Sequence, residues 1–129
     1  MLPELPGTLP LEELDRHIPA IPPVPPGTSR PFWSVMIPTY NRPALLAETL
    51  RSVLDQDPGP QQMQIEVVDN GSTAGDAEDV VRELGKGRVG YFRHPENIGA
   101  VPNFNFCIAR ARGRWVQILH DDDRVMPGF

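Results

Sequence analysis

Three consecutive aspartates, Asp121, Asp122 and Asp123, follow the apolar run Trp115-Val116-Gln117-Ile118-Leu119-His120. A strand that delivers carboxylates at its C-terminal end is a natural site for a hard divalent cation, and such a cation grips phosphate oxygens. Adjacent carboxylates repel by roughly 4 kcal/mol per pair at 4 Å and an effective dielectric of 20. A bound Mg2+ or Mn2+ would turn that repulsion into attraction. The competing reading is a solvated acidic turn capping a following helix, because Asp favours both positions.

The elements that must position these residues follow from periodicity. Phe32-Trp33-Ser34-Val35-Met36-Ile37 is a short apolar run ending at Pro38, and it reads as a buried strand. Asn41 can cap a helix and Pro43 suits its first turn. Leu45, Leu46, Leu50, Val53 and Leu54 then mark one apolar face, so this helix runs to about Asp55. Ile65–Val68 is the second strand, closed by Asp69-Asn70-Gly71-Ser72. A second helix spans about Asp76–Leu84 with Gly85 as its stop, and Val89–Arg93 is the third strand. A third helix runs from about Pro102 to Arg112, and Trp115–His120 is the fourth strand.

The order βαβαβαβ implies an α/β fold with a mainly parallel sheet, covered on both faces. Right-handed crossovers then gather the strand C-termini along one edge, where open sheets bind ligands. Thr39-Tyr40-Asn41, Asp69-Asn70-Gly71-Ser72 and Asp121-Asp122-Asp123 all fall at such ends and are expected in one crevice. Tyr40 could offer a flat face to a nucleobase or could be a half-buried aromatic beside Pro38. Asn70 or Asp69 could hydrogen-bond a base or ribose edge, whereas Asn70-Gly71 is also a plain turn dipeptide.

Composition narrows the classes. The chain has 129 residues, a formal net charge of -5 and a single cysteine, Cys107. The acidic balance argues against nucleic acid as the main partner. One cysteine allows no internal disulfide and no cysteine metal cage. Eleven of the twelve basic residues are arginine; genomic base composition accounts for that as readily as phosphate recognition does. No apolar stretch approaches the ~20 residues of a membrane span, and no signal peptide is legible, so a cytoplasmic protein is expected. Residues 1–31 hold nine of the sixteen prolines. They read as an extended leader, with Ile21–Gly27 as polyproline II and a possible two-turn amphipathic helix within Pro10–Ile18.

Some motifs carry no chemistry. Gly85-Lys86-Gly87-Arg88-Val89-Gly90 fits G-x-G-x-x-G but follows a helix and enters a strand, the reverse of a dinucleotide loop. No G-x-x-x-x-G-K-[ST] loop occurs. His17, His94 and His120 lack metal-ligand spacing. His120 could support the triplet or simply bond the backbone, and Ser52 and Ser72 show no triad arrangement.

Five segments together carry a family resemblance. They are Ser34–Arg42, Glu66–Thr73, Glu96-Asn97-Ile98-Gly99, Asn105 with Ala111–Val116, and Leu119–Asp123 with Pro127. In this order and spacing, residues 32–129 resemble the N-terminal half of a family 2 glycosyltransferase of the Rossmann-like GT-A fold, an incomplete sheet at its C-terminal side. The resemblance implies a nucleotide-diphosphate sugar as donor, a Mg2+ or Mn2+ cofactor, an acceptor hydroxyl of unknown identity, and inversion at the anomeric carbon. Pro38, Thr39 and Tyr40 would line the base pocket. Asp69 and Asn70 would hold base or ribose, and Asn105 and Asp121 would also face the donor. Asp122 would be the main metal ligand of a D-x-D element, assisted by Asp121 and Asp123.

The departures from the family pattern are Asn70 and His120 where aspartate is common, Ala74 after Gly-Ser-Thr, and Asn103-Phe104 in place of Ala-Arg. The catalytic base is expected beyond Phe129. An uncovered sheet edge would favour self-association. Two rival readings remain: a non-catalytic nucleotide-binding or interaction module, and a nucleotidyltransferase, whose glycine-rich, lysine-containing entry loop is absent after the first strand.

Overall fold

The computed structural model describes residues 21 and 23–129. The helix expected within 10–18 lies outside the described residues. The expected extended run Ile21–Gly27 is interrupted by a turn at Pro26-Gly27, closed by Thr28 N–H donating to Pro25 O at 3.2 Å. Gly27 takes φ +79°, which polyproline II does not permit.

Seven elements follow in the expected order: β1 (Trp33–Thr39), α1 (Pro43–Leu54), β2 (Met63–Asp69), α2 (Ala77–Gly85), β3 (Gly90–Arg93), α3 (Ala100–Arg110) and β4 (Trp115–Ile118). All pairings are parallel and the strand order is β3-β2-β1-β4. The chain thus steps outward from β1 to β3 and then crosses back, so the order reverses between β1 and β4. Open α/β sheets bind ligands at such a reversal.

Strand alternation assigns the two faces. Val35, Ile37, Ile65 and Val67 pack with Leu46, Leu50 and Val53 of α1 and with Ala77 and Val81 of α2. Met36 and Val68 face the other way, onto Cys107 of α3 with Phe92 and Phe106 at its margin. Burial, reinforced by the nearby Glu66 carboxylate, pushes the Cys107 thiol up to about 12, so it is an inert packing group. The α3 face also carries a buried polar chain. Ser34 Oγ donates to Gln64 Oε1 (2.6 Å), Gln64 Nε2 donates to Glu66 Oε2 (3.0 Å), and Arg110 pairs with Glu66. Gly113 N–H closes it on Ser34 Oγ at 2.7 Å, and a Cβ at Gly113 would lie only 2.5 Å from the Trp33 carbonyl carbon.

Several boundaries differ from the sequence reading for identifiable reasons. Asn41 does not cap α1. It sits at φ +54° while Arg42 occupies the cap position without a side-chain capping bond. Within α1, Thr49 is buried and Leu45 is 42% exposed. Thr49 belongs inside because its hydroxyl donates to Asp123 O at 2.5 Å. Asp76 caps α2 by accepting from Asp79 N–H, but the left-handed residue that ends the helix is Lys86, not Gly85. α3 starts at Ala100, two residues before Pro102, which is tolerated because first-turn N–H groups have no helical acceptor.

β4 is an edge strand, with Trp115 60% and Val116 41% exposed. No helix among the described residues is long and apolar enough to cross a membrane.

Candidate functional site

A cleft of about 420 Å3 opens at the C-terminal ends of β1 and β4. Pro38 to Arg42 form one side, Ala100, Asn103 and Phe104 of α3 form the opposite side, and Asn70, His120 and Asp121 complete it. The size falls within the range of small-molecule sites.

Register places the key carboxylate. Met36 pairs with Ile118, and Leu119 N–H donates to Met36 O at 2.9 Å beyond the last paired residue. Continuing the ladder brings Asp121 beside Thr39. There, Asp121 is 7% exposed; its Oδ2 accepts from Thr39 Oγ1 at 2.8 Å and from Tyr40 N–H at 3.4 Å. Two donors thus fix a buried carboxylate at the cleft wall. Asp122 is exposed and lies 3.2 Å from Arg42 Nη1, which is also 3.6 Å from Asp121 Oδ1. Asp123 turns back into the scaffold through its main chain, its N–H donating to His120 O and its carbonyl accepting from Thr49.

No group of three or more His, Cys, Asp or Glu able to hold a metal occurs among the described residues. The triplet therefore does not converge as three ligands. Asp121 and Asp122 do converge, because one guanidinium nitrogen reaches both. Their all-oxygen donor set fits Mg2+ or Mn2+, which commonly take one or two carboxylates and complete their shell with water and substrate phosphates.

The other rim is built by asparagines. Asn41 Oδ1 accepts from Thr73 N–H (2.7 Å) and Ala74 N–H (2.9 Å), and Asn41 N–H donates to Ser72 Oγ (3.0 Å). These bonds hold the left-handed turn after β1 against the loop after β2. Asn70 uses both ends of its amide. Nδ2 donates to Asn97 Oδ1 (2.9 Å) and Gly99 O (3.2 Å), while Oδ1 accepts from Ile98 N–H (2.9 Å). Gly71, at φ +76°, lets this loop approach, since a Cβ there would stand 2.6 Å from the Glu96 carbonyl carbon. Asn70 thereby sets the start of α3 and with it the far wall of the cleft.

Two expected donor residues lie elsewhere. Asp69 shares the face of Val67, toward α1 and α2. It is 1% exposed, and its carboxylate accepts from Ser72 N–H (2.8 Å) and the Tyr91 hydroxyl (2.7 Å). Burial, then the Asp69 carboxylate, raises the Tyr91 phenol well above its ordinary range, so it stays a donor. Asn105 does not line the cleft. The helical period instead groups Asn103 and Phe104 with Ala100 and Cys107 at spacings of three, four and seven. Asn103 is 2% exposed, with its Oδ1 3.0 Å from His94 Nε2. That stripe is the sequence signal that puts Asn103 and Phe104, read from the motif only as a departure from the family pattern, on the cleft side. His120 is exposed and bonds the triplet only through its backbone carbonyl, which accepts from Asp123 N–H; its ring meets Phe104 edge-on at 5.2 Å between centroids.

The sequence profile described as Glycosyl transferase family 2 matches residues 34–129. The chain belongs to this family. Two curated relatives are the GalNAc(5)-diNAcBac-PP-undecaprenol beta-1,3-glucosyltransferase of Campylobacter jejuni and the putative colanic acid biosynthesis glycosyl transferase WcaA of Escherichia coli. The first is 35% identical over 101 residues, covering 76% of this chain and 32% of that protein. The second is 33% identical over 100 residues, covering 77% and 35%.

Among solved structures, the mannosyltransferase PcManGT of Pyrobaculum calidifontis, in complex with GDP-Man and Mn2+, aligns with a TM-score of 0.63 at 27% identity. That alignment covers 86% of this chain and 33% of that one. S. aureus TarS 1-349 in complex with UDP aligns at 0.61 and 27%, covering 71% and 28%. The four-stranded parallel sheet with its helices is thus the α/β arrangement of GT-A glycosyltransferases. The chain spans about a third of the length of the curated relatives it matches.

The Asn70 amide generates a stability prediction. Asn70→Asp keeps the acceptor for Ile98 N–H but sets carboxylate oxygen against Asn97 Oδ1 and Gly99 O. The expected cost is about 1–3 kcal/mol, a drop of several degrees in Tm by calorimetry. An unchanged Tm would show that these bonds do not hold the loop.

Proposed function

We propose that residues 32–129 form the donor-binding part of a glycosyltransferase that moves a sugar from a nucleoside-diphosphate donor to an acceptor hydroxyl. The observation that carries this reading is the converging Asp121–Asp122 pair beside the Tyr40 and Asn103 walls of one cleft at the strand-order reversal. The similar solved structures point the same way: PcManGT is in complex with GDP-Man and Mn2+, and S. aureus TarS 1-349 with UDP and with UDP-GlcNAc.

In this reading the Tyr40 ring, 38% exposed, offers a flat face for the base, with Pro38 beside it and Asn103 and Phe104 opposite. Asp121 is oriented in advance by Thr39 and Tyr40, so it loses little freedom when the donor arrives. Asp122 completes the carboxylate pair that would hold Mg2+ or Mn2+. When bound, such an ion neutralises charge building on the departing diphosphate. Asn70 acts by placing α3. Inversion at the anomeric carbon and a base outside residues 32–129 belong to the same proposal. A nucleotide-binding module without chemistry would share all of these contacts and differ only in giving no sugar transfer to any acceptor.

UDP or GDP with Mn2+ is expected to raise the Tm. Saturation at one hundred times Kd contributes about 2.7 kcal/mol, a shift of several degrees for a domain of this size. EDTA should remove most of the shift, as should Asp122→Ala. No shift with millimolar nucleotide and Mn2+ would contradict the donor site. The exposed Trp115 and Val116 on edge strand β4 also support self-association of the chain. Sedimentation velocity should show a concentration-dependent larger species; a monomer at every concentration would remove this part.

A further inference from the structure

We propose that Arg42 is a resident counter-ion of the Asp121–Asp122 pair, one that a divalent cation must displace and that then turns to the donor's diphosphate. The inference rests on the donor-site reading above and adds a coupling to it: Arg42 opposes the metal alone and favours the nucleotide alone.

The geometry has three parts. Arg42 Nη1 lies 3.2 Å from Asp122 Oδ2 and 3.6 Å from Asp121 Oδ1, so a positive group stands where the two carboxylates converge. A guanidinium stays charged at any working pH. It therefore opposes a second cation at that point by direct repulsion as well as by occupancy. Next, the backbone of Arg42 is fixed while its side chain is not. Its carbonyl accepts from Leu46 N–H at 2.9 Å to begin α1, and the preceding Asn41 is bonded to Ser72, Thr73 and Ala74. The side chain makes no cap bond and is 51% exposed. The Arg42–Asp122 pair is exposed on both sides and so weakly held, and Asp121 keeps Thr39 and the Tyr40 N–H as donors, so the guanidinium can leave without disturbing the fold. Finally, Arg42 lines the same cleft as Tyr40 and Asn103. A guanidinium released from the carboxylates by a metal has an anionic diphosphate as its next partner within that cleft, and the planar fork suits phosphate oxygens.

The consequence is a coupling of opposite signs. Without nucleotide, Arg42 competes with the metal. Without metal, Arg42 screens the carboxylates from the phosphates and so helps the nucleotide. Arg42→Ala should therefore bind Mn2+ alone more tightly, by roughly three- to tenfold as expected for losing one exposed ion pair and a longer contact to the buried Asp121 carboxylate. The same variant should bind UDP or GDP in the presence of EDTA more weakly by a similar factor. Arg42→Lys keeps the charge and should stay near the wild type in both.

The measurement is calorimetric titration of the 129-residue chain and both variants with Mn2+ alone and with each nucleotide in EDTA, with melting curves beside them. Tighter Mn2+ and weaker metal-free nucleotide in Arg42→Ala support the proposal. Unchanged or weaker Mn2+ binding in Arg42→Ala, while wild type still takes nucleotide with Mn2+, overturns it and leaves the donor site standing. Loss of both affinities marks a damaged scaffold and overturns it too. A wild-type chain that takes up neither ligand removes the donor site and this inference together.

Discussion

A single hydrogen bond between residues 82 apart in sequence organises the cleft: Thr39 Oγ1 donating to the buried carboxylate of Asp121. It joins the ends of the two strands between which the strand order reverses. The bond exists because β1 and β4 are parallel neighbours in a register that pairs Met36 with Ile118, so the third residue beyond each falls at one level. Burying Asp121 without such donors would be costly, since an unpaired carboxylate loses its hydration. Thr39 and the Tyr40 N–H supply them, and no buried side-chain N or O atom among the described residues is left without a partner. From this fixed point the neighbouring Asp122 projects outward to Arg42, so rigidity and availability are divided between adjacent residues.

The loops that rim the rest of the cleft are held by amides, while α3 behind them packs on Met36 and Val68. Asn41 and Asn70 sit in loops after β1 and β2, where backbone groups have no strand partner and must be satisfied some other way. An amide can accept and donate at once, and both residues use both ends. An ionised carboxylate at position 70 could only accept. That difference explains why Asn70 serves here as a clasp on the segment leading to α3. It also moves the far wall of the cleft under the control of a residue that motif position alone would assign to the base.

Apolar periodicity made the fold legible because each strand and helix has a buried face that must recur at two or 3.6 residues. The order of seven elements, the two covered faces and the gathering of strand ends all follow from that pattern. What the pattern does not carry is the direction of polar side chains at strand ends. Asp69 and Asn70 are adjacent, yet Asp69 is spent on Tyr91 and Ser72 while Asn70 reaches the cleft. The residue type of Asn41 suits a helix cap, but its φ of +54° turns it toward the β2 loop. Asn105 was assigned by motif, whereas the turn of α3 presents Asn103 and Phe104. Arg42 was visible in the motif, but its contact with both aspartates depends on a register formed across the whole chain.

Paramagnetic broadening by Mn2+ in the amide NMR spectrum, recorded with UDP or GDP present, reads the convergence of these loops directly. A shared cleft requires broadening concentrated at the amides of Thr39–Arg42, Asn70, Ala100, Val101, Asn103, Phe104 and His120–Asp122, with those of Asp57, Gly59 and Lys86–Arg88 at the opposite end of the sheet left sharp. Broadening that reached Asp121 and Asp122 but spared the Tyr40 and Asn103 amides would contradict it.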